Sequence, residues 1–172
     1  MRSFGEQKKQ SILLNPLTLL VAGLGLGIIS RLLDIYSQNL GEIFSQMAIW
    51  ILFGVLISVY SESAKKALCN ILPFCLGMLV TYYAVAIIKH GVYGTTFIIG
   101  WTIFAFGSPV LAFFAWQSKE KGIFPCMIRM GIVDVSVLSS ILLFDRLRIY
   151  DFVIDVILVY ILFFKKIHRE QK

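Results

Sequence analysis

Apolar runs close to the ~20 residues that cross a hydrocarbon core recur six times in this chain, at roughly 12–30, 43–60, 67–88, 97–117, 123–144 and 149–164. The connections between them are too short to hold a soluble module within 172 residues. In lipid each spanning segment must satisfy its own backbone donors and acceptors. The expected fold class is therefore all-α: a polytopic integral membrane protein of six transmembrane helices, forming one transmembrane domain over residues 1–172.

Charge placement sets the expected orientation. With the amino terminus cytoplasmic, the inner segments hold Arg2, Lys8, Lys9, Lys65, Lys66, Lys119, Lys121, Lys165, Lys166, Arg169 and Lys172. The outer loops then hold Arg31, Lys89, Arg146 and Arg148. Lys and Arg concentrate on the cytoplasmic side of short loops, so both termini are expected there, in a multi-pass protein of the cell membrane. The inner cations can also touch anionic headgroups of the lipid bilayer. Nucleic acid is excluded as a partner, since no soluble module presents a basic face. The first run follows Lys8-Lys9 without an A-x-A-like cleavage site and is read as retained. Cys69, Cys75 and Cys126 lie in spans without paired spacing, which fits small buried hydrophobes rather than disulfides or zinc.

Asp134 sits near the middle of the 123–144 run. A charge there costs about 2.5–3.5 kcal/mol on insertion scales, whereas each large apolar residue returns only about 0.3–0.6 kcal/mol. A carboxylate at that depth needs a partner, a cavity or a proton, and marks a functional site by default. Arg129 is five residues away on a different face, so it is no intrahelical partner; it either snorkels to the headgroups or joins the site. Ser136 and Ser140 share the Arg129 face and widen a polar stripe. In the last run Arg148, Asp151 and Asp155 fall at i, i+3 and i+7 on one face. Arg148–Asp151 suits a local salt bridge, and Asp155 lies closer to the level of Asp134. Carboxylates on consecutive helices can share a proton, hold a cation or bind a cationic ligand. Separate satisfaction by Ser108, tyrosine hydroxyls or water is the bland alternative.

Other breaks in the pattern are less specific. Gly23 and Gly27 have GxxxG spacing, which flattens a helix face for close approach of another helix, within the chain or in a partner protein. Leu33, Tyr36, Leu40 and Phe44 have helical spacing in the longest outer connection, 31–42, and suit a surface helix or an ordinary loop. Trp50 suits internal packing or a ligand platform, and Tyr82-Tyr83 an aromatic belt or a pocket. His90 lies in an outer loop. Gly107-Ser108-Pro109 is expected to break the fourth span, either as a simple structural kink or as in the interrupted helices that line transporter sites. No nucleotide, metalloprotease or nucleophile-elbow motif occurs, so no catalytic residue, metal site or cofactor is assigned.

The stretch Trp50–Gly54, then Ser61, Ser63, Lys66, Ala67 and Asn70, then Gly77-Met78 and Tyr82-Tyr83, resembles small uncharacterised integral membrane proteins of Gram-positive bacteria. The outline is also similar to substrate-binding S components of energy-coupling-factor transporters, whose first helix carries small residues that contact a coupling subunit. That resemblance implies a six-helix architecture; Gly23 and Gly27, expected to contact a partner, match the spacing of those small residues with glycine in place of the usual alanines. The expected function is a transport component binding a small molecule or cation at Asp134, Asp155, Arg129 and Ser108. It would work with a membrane protein partner or as a homo-oligomer. The alternatives are a non-catalytic scaffold or regulatory subunit docking through Gly23 and Gly27, and an intramembrane enzyme with no assignable site.

Overall fold

The computed structural model describes residues 14–37, 41, 43–44, 46–90, 94–144 and 148–166. Lys8-Lys9, Leu40, residues 91–93, Arg146 and His168 fall outside them, and with Leu40 part of the expected surface helix. Among the described residues there are six α-helices and no strand: α1 (Pro16–Tyr36), α2 (Met47–Tyr60), α3 (Ala64–Ile88), α4 (Thr95–Gln117), α5 (Ile123–Phe144) and α6 (Ile149–Val159). The chain leaves α6 through a π-helical turn, Tyr160–Phe164. Four helices, α1, α3, α4 and α5, are long and apolar enough to cross a membrane. Large apolar side chains such as Ile103, Phe106, Val110, Met127 and Leu138 stand exposed on their outer faces, an arrangement suited to lipid contact.

Local chemistry sets the helix ends. The Asn15 side chain accepts from Leu17 N at 2.7 Å and Thr18 N at 3.3 Å, and Thr18 Oγ1 accepts from Asn15 N at 3.3 Å. This reciprocal cap, with Pro16 in the first turn, satisfies donors that a helix start leaves open. Ser63 caps α3 by accepting from Lys66 N at 3.2 Å. At the other end of α3, His90 adopts φ 51 and donates its N–H to Ile87 O at 3.1 Å. The exposed histidine thus sits at the stop of a helix.

Helix α1 runs beyond the expected span. Arg31 to Tyr36 continue it, and Arg31 is buried at 7% exposure. Its guanidinium donates to Asp34 Oδ2 at 2.6 Å and Tyr82 Oη at 3.2 Å, and Tyr82 Oη donates to Asp34 at 3.2 Å. An i,i+3 pair of opposite charge lets the helix continue where a separate surface helix or a loop was expected. The triad also fastens α1 to α3 and gives Tyr82 an internal role.

The closest packing joins α1 and α3. Gly23 lies against the Phe74 carbonyl and Gly27 against that of Met78, and a Cβ at either would come within 2.3 Å of the facing oxygen. Thr81 Oγ1 donates across the interface to Leu24 O at 2.9 Å. The GxxxG face is therefore filled by a helix of the same chain, which corrects the expectation that Gly23 and Gly27 meet a partner. Close backbone approach without Cβ atoms favours this pairing in lipid.

Helix α2 is the hub. It touches α3, α4, α5 and α6, and none of its 14 residues is exposed. Trp50 packs beside Phe44 and Phe53 and donates Nε1 to Phe44 O at 2.8 Å, so it is a core residue. One apolar cluster gathers Leu19, Trp50, Phe74 and Met78; a second gathers Leu52, Val55, Ile154 and Leu158. Beside them, Asn70 Nδ2 donates to Leu14 O and Ser61 Oγ, each at 3.1 Å, while Trp116 Nε1 donates to Ser61 O at 3.2 Å. Of the cysteines, only Cys75 is buried; Cys69 is exposed and Cys126 intermediate.

Candidate functional site

The polar residues of α5 and α6 meet along one seam. Ser136 and Ser140 lie one turn apart on α5, at 0% and 1% exposure, and Asp151 and Asp155 one turn apart on α6, at 0% and 7%. Ser136 Oγ donates to Asp155 Oδ1 at 2.6 Å. Residues spaced by four share a helix face, so each helix offers two polar groups along the contact. Ser140 Oγ is turned to its own helix, donating to Ser136 O at 3.3 Å.

Asp151 holds the start of α6. Its Oδ2 accepts the Arg148 N–H at 3.1 Å, an acidic group in a first helical turn where the helix dipole favours it. The Arg148 guanidinium donates to the Tyr150 hydroxyl. Contact between Arg148 and Asp151 thus uses the Arg148 backbone amide, where a side-chain salt bridge was expected. Asp151 Oδ1 is buried with no hydrogen-bond partner among the described residues, and neither carboxylate makes an ion pair there. The Arg148 guanidinium acts on Asp151 electrostatically; two acids about one turn apart in a buried contact still carry one negative charge more than it offsets, which a bound proton or a cation would balance. Among the described residues no three His, Cys, Asp or Glu side chains converge as metal ligands.

The other expected site residues do not join this seam. Asp134 is exposed, on the opposite side of α5 from Ser136, because two residues along a helix turn the side chain by about 200°. Asp134 and Asp155 are therefore not one site. Arg129 reaches back along α5, donating Nε to Ser118 O at 2.5 Å and Nη2 to Glu120 O at 3.0 Å. It caps carbonyls where α4 ends, the snorkelling alternative in a protein-bound form. Beside it Lys119 Nζ donates to the carbonyls of Ile161, Leu162 and Lys165, closing the π turn.

Ser108 is buried in α4, which runs unbroken through Gly107-Ser108-Pro109. Pro109 lacks the N–H that would meet Ala105 O, and Ser108 Oγ donates to that oxygen at 2.7 Å. Its hydroxyl replaces the missing amide and keeps the helix continuous where a break was expected.

A helical bundle with spanning-length apolar helices and a buried acid–hydroxyl seam is the class defined so far. The chain belongs to a Family of unknown function (DUF6518), whose model matches residues 6–122. That match covers α1 to α4, including Trp50–Gly54, the Ser61–Asn70 stretch and Tyr82-Tyr83; α5 and α6 lie beyond it. No curated protein and no solved structure matches the chain.

Proposed function

We propose that the protein is a transport component of the cell membrane, with six spans and both termini cytoplasmic, that binds a cation or a cationic small molecule in the α5–α6 seam. Its partition of lysine and arginine supports that orientation. The short α6 and its π turn together supply 16 residues, about 24 Å at the helical rise, enough for a sixth span set among other helices. The observation that carries the binding role is Asp151 Oδ1, a buried carboxylate oxygen without a partner among the described residues, one turn from Asp155 on the same face. A single cation bridging the two acids, with the Ser136 hydroxyl beside it, supplies the missing charge. Buried ionisable groups in spanning helices commonly line such pathways.

The test uses purified protein in lipid nanodiscs, heated in a panel of alkali cations and small organic amines. One class of cation is expected to raise the melting temperature, because ligand at a hundredfold excess over Kd adds about 2.7 kcal/mol. Asp155→Asn should weaken that binding roughly ten- to hundredfold, the value of about 1.5–3 kcal/mol for a charged contact, while unliganded protein still melts cooperatively. Equal stabilisation of wild type and Asp155→Asn, or none by any cation in the panel, sinks the proposal.

A further inference from the structure

The outer face of α5 carries a charge that nothing among the described residues accounts for. Met127, Met130, Asp134, Leu138 and Ile141 follow one another at three- and four-residue steps, and all are exposed. Asp134 makes no hydrogen bond or ion pair among the described residues. It lies 11 residues from Ile123 and 10 from Phe144, about 15 Å from either end of the helix. A hydrocarbon core is about 30 Å thick, so this short side chain reaches neither interface. One turn away, Gly131 has nothing within 4 Å of where a Cβ would stand, and a second helix backbone can approach closely there.

We infer that this face docks a transmembrane helix of a different protein, one carrying a lysine or arginine near its middle that pairs with Asp134. Charge complementarity selects the occupant. Among the described residues, a second copy of this chain would present the same carboxylate and no spare cation at that depth: Arg31 is held by Asp34 and Tyr82, Arg129 by Ser118 O and Glu120 O, and Lys119 by three carbonyls. Lipid tails offer nothing to a carboxylate. The inference stands apart from the α5–α6 seam, since Asp134 and Ser136 point to opposite sides of the helix.

The probe is a synthetic spanning peptide of leucine and alanine with one central lysine, compared with the same peptide bearing leucine there. Each is labelled and titrated against labelled full-length protein in phosphatidylcholine vesicles, read by energy transfer. The lysine peptide is expected to bind wild type at least about tenfold tighter than its control, a preference that vanishes in Asp134→Leu. Gly131→Leu keeps the carboxylate but blocks close approach, and should also weaken lysine-peptide binding. Both positions face outward, so the fold is expected to survive each change, and circular dichroism checks it. Equal binding of the two peptides overturns the inference, as does a lysine preference that persists in Asp134→Leu. Energy transfer between two copies of the protein that depends on Asp134 also overturns it, in favour of a homo-oligomer.

Discussion

Replacing Gly23 by alanine tests the α1–α3 contact most directly. The new Cβ would sit 2.2 Å from the Phe74 carbonyl oxygen, against 3.4 Å for the near limit of ordinary contact. That oxygen is backbone, so the helices must part by about 1.2 Å in an interior packed as densely as a crystal. Overpacking of this kind costs about 1–3 kcal/mol. Parting the helices also stretches the bond from Thr81 Oγ1 to Leu24 O, about 0.6 kcal/mol for a polar contact between membrane helices. Gly25 is an internal control on the same helix, with nothing within 4 Å of its would-be Cβ. Alanine gains similar helix propensity at both sites, so that contribution cancels between the variants. Gly23→Ala is expected to be less stable than Gly25→Ala by about 1.6–3.6 kcal/mol. The difference can be measured by titrating purified protein from mild detergent into SDS and following helix content. Coincident unfolding curves for the two variants would refute this packing.

The triad at the end of α1 and the Ser61–Asn70 contact make further predictions in the same titration. Tyr82→Phe removes the hydroxyl between Arg31 and Asp34 and should cost about 0.5–1.5 kcal/mol. Arg31→Leu should cost more, because it strands the Asp34 carboxylate, and adding Asp34→Leu should restore part of the loss; additive single effects would contradict the coupling. Asn70→Ala loses its bonds to Leu14 O and Ser61 Oγ and should destabilise by about 1–3 kcal/mol, whereas the exposed Cys69→Ala should change stability by less than about 0.5 kcal/mol.

Much of the helical organisation was legible because apolar runs and their lengths speak for themselves. The 123–144 run coincides with α5, and the 149–164 run with α6 and its π turn. Periodicity also placed Arg129, Ser136 and Ser140 on one face of α5. The misreading of Asp134 came from assuming that a polar group in a span must turn inward, although the same periodicity sets Asp134 opposite Ser136. Gly23 and Gly27 announced a close helix contact, but spacing carries no address, and only the fold shows that Phe74 and Met78 supply the surface. Arg31 looked like a loop charge because its neutralisation by Asp34 depends on the helix continuing. At Ser108-Pro109 the signal for rescue was present: a hydroxyl one residue before proline can take up the carbonyl that proline leaves open.

The 14-residue α2 is only about 21 Å long, well short of a typical hydrocarbon thickness, yet every side is sheathed by neighbouring helices or half-covered by them. Hydrophobic mismatch is felt by surfaces that meet acyl chains, so this core rod is insulated from it. Changes in bilayer thickness would act on the outward-facing α4 and α5 and tilt them against a centre that stays put. Lipid composition could thus adjust the periphery of the bundle without disturbing the helix on which the others are built.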